Sequence, residues 1–116
     1  MKITTRHLDA ATVLEIDGPI DVYSASAVGQ AIQSLIADGA KQILLDLTSV
    51  GSLDSSGLGT LVGNAKAISS MGGSISLVGA NDRIRRMLAI TNLDRYFRTS
   101  DSVDHLLSGA SCEEGR

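Results

Sequence analysis

Leu53-Asp54-Ser55-Ser56-Gly57-Leu58-Gly59-Thr60-Leu61-Val62-Gly63 joins two segments of different periodicity, and that junction decides the fold class. Upstream, Gln42-Ile43-Leu44-Leu45-Asp46-Leu47 is a nearly unbroken apolar run, the pattern of a strand buried on both faces. Downstream, Leu58, Leu61, Val62, Ala65 and Ile68 recur at helical spacing. The junction therefore reads as strand, turn, helix. Its acid, two hydroxyls and two glycines stand where a helix leaves backbone N–H groups unpaired and presents the positive end of its dipole.

The same alternation extends in both directions. Residues 3–8 and 12–17 are short, rich in β-branched side chains and separated by Asp9-Ala10-Ala11, which predicts a hairpin. Gly18-Pro19 ends its second strand, because proline cannot donate to a ladder. Ser24 is a candidate helix cap ahead of Ala27, Val28, Ala31, Ile32, Leu35 and Ile36, and Gly39 is the stop. After the central helix, Gly72-Gly73 gives a second stop and residues 74–78 alternate as a strand. Asn81 or Asp82 can cap a helix carrying Ile84, Met87, Leu88 and Thr91 inward, with Arg83, Arg85 and Arg86 largely facing water. A turn with a last short strand over 93–98 and a final helix from Ser102 to Leu107 complete the order ββαβαβαβα. That order predicts an α/β domain with a mixed β-sheet, one antiparallel hairpin and otherwise parallel neighbours joined by crossovers.

Composition sets the outer limits. The 116 residues suffice for one core without disulfide or metal, and with two Tyr, one Phe and no Trp that core is aliphatic. A net charge of −3 argues against nucleic acid as a partner, despite the local arginine cluster. No apolar run reaches the roughly 18 residues of a membrane span, and the first residues lack the apolar centre of a signal peptide. The expected location is cytoplasmic. The single Cys112 forms no internal disulfide and lies in the polar stretch 108–116, expected to be a mobile tail behind a domain of residues 1–107.

Three kinds of chemistry compete for the junction. A serine at a strand-to-helix turn is the place of a hydrolase nucleophile, but that motif wants glycine where Leu53 stands. The only bases on offer are His7 and His105, neither with an evident orienting carboxylate. A dinucleotide fingerprint needs its third glycine one residue earlier than Gly63, and no P-loop lysine follows. Two histidines and one cysteine match no metal-ligand spacing, so neither metal nor cofactor is expected. The third reading makes a seryl hydroxyl the substrate of another enzyme, since a phosphoserine of charge about −1.5 to −2 is tolerated at a helix N-terminus. Beside it stands a plain alternative, that Ser55 and Ser56 cap the helix. Gly59 and Gly63, on one helical face, leave a bare surface for a partner or for another element of the chain.

Asp46-Leu47-Thr48-Ser49-Val50 followed by Leu53-Asp54-Ser55-Ser56-Gly57-Leu58-Gly59 closely resembles the signature of the STAS domain, specifically of bacterial anti-sigma factor antagonists. Gly18-Pro19-Ile20-Asp21 resembles the loop after that family's second strand, and the similarity runs through nearly all of the chain up to Leu107. The resemblance implies a binding protein rather than an enzyme. Unphosphorylated, such a protein binds an anti-sigma factor with serine kinase activity and so frees a sigma factor; phosphorylation ends the binding and a serine phosphatase restores it. It places the phosphoacceptor at Ser55, with Ser56 as the hydroxyl after it, Asp54 as the acid before it and Asp21 as an acidic loop residue of the partner surface; with Gly57 and the bare face at Gly59 and Gly63, these are the expected partner-binding residues. Pro19 and the Gly51-Ser52 pair depart from the residues often found there. The family also includes docking subunits of lipid-transport and other signalling assemblies without a phosphoswitch, which is the alternative reading.

Overall fold

The structure, a computed structural model, describes residues 1–101. Strands β1 (Lys2–His7) and β2 (Thr12–Asp17) form the expected hairpin, followed by helix α1 (Ala25–Ala37), strand β3 (Gln42–Ser49) and helix α2 (Ser55–Ser69). Strand β4 (Ser74–Val78), helix α3 (Asp82–Ile90), a 3₁₀ turn (Asp94–Tyr96) and strand β5 (Arg98–Ser100) complete the described chain. The five strands lie in sequence order. β1 pairs with β2 antiparallel, and β2–β3, β3–β4 and β4–β5 are parallel, so the mixed sheet read from the sequence is the observed one. The final helix expected from Ser102 to Leu107 and the tail 108–116 lie outside the described residues.

Strand periodicity sorts the core. Leu14, Ile16, Ile43, Leu45, Ile75 and Leu77 form one cluster with Val28 and Ile32 of α1, Leu61 and Ile68 of α2 and Ile84 and Leu88 of α3. Their strand neighbours Val13, Leu44 and Val78, one position out of phase, form a separate cluster with Ala11. Burial of each such aliphatic side chain contributes about 1.5–3 kcal/mol, which makes the helix-bearing face the main source of stability. Gly39 has φ +95° and ends α1 as expected, its N–H bonding the carbonyl of Ile36.

Two local expectations are corrected. Ser24 precedes α1 but makes no capping bond; its Oγ instead donates to the carbonyl of Pro19 at 2.8 Å and accepts from the N–H of Asp21 at 3.0 Å. Arg85 does not simply face water, since it donates to the carbonyl of Ala80 and to Asp101 at 3.1 and 3.0 Å. Asn81, one of two candidates, is the cap of α3, accepting from the N–H of Ile84 at 2.9 Å.

The pairing of β2 with β3 shifts register between Glu15 and Asp17, and beyond it Gly18 takes φ +122°. Such a shift bends a strand end. The two chains nevertheless stay together. Ile20 donates to the carbonyl of Ser52 at 3.0 Å, Asp54 donates to the carbonyl of Ile20 at 3.2 Å, and Ile20 and Leu53 form an isolated parallel bridge. The loop after β2 is thereby tied to the turn that opens α2.

Candidate functional site

Asp54 makes the turn. With φ −97° and ψ −175° it is extended, its side chain accepts from the N–H of Gly57 at 3.0 Å, and its carbonyl accepts from the N–H of Leu58 at 2.8 Å. A carboxylate in this position satisfies one orphan donor and interacts favourably with the helix dipole. The capping role considered for Ser55 and Ser56 therefore belongs to Asp54. The two serines are the first helical residues, both exposed, with no structural duty of that kind.

Gly57, expected among the partner-binding residues, is buried. A Cβ built on it would lie 2.6 Å from both Cγ2 and the carbonyl oxygen of Ile20, and 2.7 Å from Cδ1 of Leu53. It is the contact across which the loop closes on the helix, and the outward surface belongs to its neighbours. Gly59 and Gly63 are the reverse case: both are exposed, and a Cβ on either would meet nothing within 4 Å. The question left open by their spacing is answered in part, because no described element covers them. They line an open groove of about 670 Å³ between α1 and α2, together with Gly29, Ala37, Thr60 and Asn64 among others. Gln30, Gln33 and Ile36 also line its α1 side, and Asn64 folds back onto the carbonyl of Thr60 at 2.9 Å.

Asp21 comes to the same place through the tie between Ile20 and Asp54. Its Oδ1 accepts from the N–H groups of Tyr23 and Ser24 at 2.9 and 3.2 Å, an Asx-type turn. Val22 and Tyr23, at the tip of this loop, are 63% and 92% exposed. Sequence reasoning passed over them. The available signal was a pair of large side chains between the Gly18-Pro19 break and the first residue of the α1 stripe, a place where a loop is expected to be polar.

Two cationic groups flank Tyr96. Lys66 Nζ and Arg95 Cζ stand 5.3 and 5.1 Å from the ring centre of Tyr96. The hydrogen bond from Arg95 and its charge, followed by the charge of Lys66, hold the Tyr96 phenol below its ordinary range. Lys66 is eleven residues beyond Ser55, about 16 Å along the helix. The turn that opens α2 itself carries an acid and two hydroxyls, Asp54, Ser55 and Ser56, with Asp21 in the loop tied to it. No described helix is long and apolar enough to cross a membrane.

The sequence profile of the STAS domain matches residues 2–106. The Staphylococcus aureus anti-sigma-B factor antagonist is 28% identical over 104 residues, which cover 90% of this chain and 96% of that protein. Among solved structures, a Thermotoga maritima protein described as a candidate anti-sigma factor antagonist superposes with a TM-score of 0.86 at 29% identity, covering 91% of this chain and 92% of the other. The Bacillus cell-fate determinant SpoIIAA, solved in a phosphorylated form, has the same fold, with a TM-score of 0.74 at 16% identity over 94% of this chain and 99% of its own.

Proposed function

The chain belongs to the STAS domain family, and from that premise we propose that it is an anti-sigma factor antagonist, a binding protein rather than an enzyme, switched by phosphorylation of Ser55. The observation that carries the reading is the exposed Ser55 at the first position of a 15-residue helix whose cap is already supplied by Asp54. Its hydroxyl is free of the capping role and open to a second protein. The relatives described as anti-sigma factor antagonists supply the class of partner. The phosphorylated Bacillus neighbour supports the point that this fold accommodates a phosphoryl group.

The partner surface would comprise Asp54, Ser55 and Ser56 with the open helix face at Gly59 and Gly63, bordered by the loop that Asp21 opens. Unphosphorylated, it receives the anti-sigma factor and releases the sigma factor that the latter held. As the kinase, the anti-sigma factor positions ATP so that the Ser55 Oγ attacks the γ-phosphorus. A new O–P bond forms, the bond to ADP breaks, and the hydroxyl proton passes to a base on the kinase. A serine phosphatase reverses the change by hydrolysis.

Electrostatics turns that step into a switch. The phosphate adds about −1.5 to −2 charge beside Asp54, and two unit charges 4 Å apart at an effective dielectric of 20 repel by about 4 kcal/mol. Within the domain, water and the helix dipole relieve much of this. A partner seated over the turn excludes that water, and a penalty of even 3 kcal/mol weakens binding more than a hundredfold. Incubation with the recombinant anti-sigma factor kinase of the same organism and ATP, followed by phosphosite mapping, tests the reading. Ser55 is expected to carry the phosphate, Ser55→Ala to bind constitutively and Ser55→Asp to bind weakly. An unmodified Ser55, or equal affinity of the two variants, would overturn the switch.

A further inference from the structure

The β2–α1 loop displays two large side chains that the fold does not use. Exposed apolar residues are normal when scattered, and Met71 and Ile90 are of that kind, at 50% and 75% exposure near the ends of α2 and α3. Val22 and Tyr23 differ in being adjacent and in standing on a loop that is tightly made. Beneath them Ile20 is fully buried and bridged to the acceptor turn through Ser52 and Asp54. Behind them Ser24 Oγ binds the Pro19 carbonyl and the Asp21 N–H, and the Ala25 N–H bonds the Asp21 carbonyl at 2.8 Å. Tyr23 is three residues from Ile20, so its Cα lies within about 11 Å of that tie.

We infer that Tyr23, with Val22 beside it, is the main anchor of the anti-sigma factor contact, and that Asp21 serves this contact as a positioning residue by holding the loop. The inference rests on the proposed function for the identity of the partner. The anchor fits an apolar pocket with a polar group at its far end, because a tyrosine presents a wide hydrophobic ring and one hydroxyl. Such residues dominate binding energy at the centres of interfaces, and a rigid ring with two rotatable bonds loses little entropy on docking. Preorganisation of the loop removes most of the remaining ordering cost.

Asp21 has an acidic side chain, yet its Oδ1 faces the backbone N–H groups of Tyr23 and Ser24. An asparagine oxygen at the same place could accept both bonds without the charge. That separates holding the loop from presenting a charge.

The test is titration calorimetry of wild type and variants against the recombinant anti-sigma factor of the same organism, with thermal melts in parallel. Tyr23→Ala is expected to weaken binding at least 30-fold, about 2 kcal/mol, with an unchanged melting temperature. Tyr23→Phe should stay within about threefold of wild type, on the order of the loss of one exposed hydrogen bond. Asp21→Asn should also stay near wild type, while Asp21→Ala weakens binding about tenfold through the loosened loop, a typical cost for a lost side-chain-to-backbone bond of this kind. Wild-type affinity in Tyr23→Ala would overturn the anchor. Binding in Asp21→Asn as weak as in Asp21→Ala would overturn the positioning role in favour of charge. Failure of the proposed function looks different: the wild-type chain itself would not bind the anti-sigma factor, whatever the variants do. Loss of Ser55 phosphorylation with binding intact would leave the anchor standing.

Discussion

The first turn of α2 and the two turns after it are built from the same residue in opposite ways. Gly57 lies against Ile20 and Leu53 with no room for even one carbon more, whereas Gly59 and Gly63 border open space. In the first turn the missing side chain lets one part of the chain approach another, and the contact fastens the β2–α1 loop to the turn that opens α2. In the following turns nothing described fills the vacancy, so the bare backbone is available to another molecule. One helix thus carries its own anchorage and an open face within a few turns, so substitutions at the two places test stability and the proposed binding separately.

Gly57→Ala gives the largest effect. Its Cβ would meet a backbone oxygen at 2.6 Å, which cannot swing aside as a side chain can. Overpacking of this kind costs about 1–3 kcal/mol, and the displaced element is the loop that carries Asp21, Val22 and Tyr23. Chemical denaturation should show the loss, and affinity for the anti-sigma factor should fall with it. A variant as stable as wild type would mean that the loop is not held through Gly57.

Asp54→Ala is expected to be milder. It removes the bond to the Gly57 N–H, and loss of an N-cap typically costs about 1 kcal/mol. Asp54→Asn retains an acceptor and should recover most of that stability. Without the neighbouring negative charge it should also soften the switch, so that Asp54→Asn, once phosphorylated, keeps more affinity than phosphorylated wild type. Comparison of the affinities before and after kinase treatment checks this; an identical ratio in both would remove Asp54 from the switch.

The contrast also marks how far the sequence could be read. Strand and helix order follow from periodicity, which depends on neighbouring residues; the last strand, expected within 93–98, instead lies at Arg98–Ser100 behind the 3₁₀ turn Asp94–Tyr96. Asp54 and Asn81 could be placed near helix starts because capping is local, although choosing Asp54 over Ser55 required the backbone angles. Ser24 departs from its expected role for an equally local reason: several acceptors and donors crowd one loop, and its hydroxyl bonds Pro19 and Asp21 instead of the helix. The two roles of glycine were not legible. Spacing puts Gly59 and Gly63 on one face, but whether Ile20 or water lies opposite a given glycine depends on a bridge between residues 20 and 53, more than thirty positions apart. For the same reason Val22 and Tyr23 pass as ordinary apolar residues until their exposure is seen. Gly57 was expected among the partner-facing residues, and the segments joined by the same bridge are what cover it.

The smallest effect bears most directly on the open face. Glycine in a helix interior is about 0.5–1 kcal/mol less favourable than alanine, and at position 63 the added methyl would touch nothing within 4 Å. Gly63→Ala should therefore raise the stability of the isolated domain by about that amount. In a protein whose α2 face has no partner, the substitution would carry no cost. If the anti-sigma factor lies against the backbone there, the same methyl stands between the two surfaces, and a larger side chain stands there more firmly. A paired measurement separates the cases. Denaturation midpoints should rise for Gly63→Ala, while affinity should fall modestly for Gly63→Ala and further for Gly63→Leu. Unchanged affinity in both variants would confine the docking surface to the acceptor turn and the Tyr23 loop, and leave the groove between α1 and α2 outside the contact.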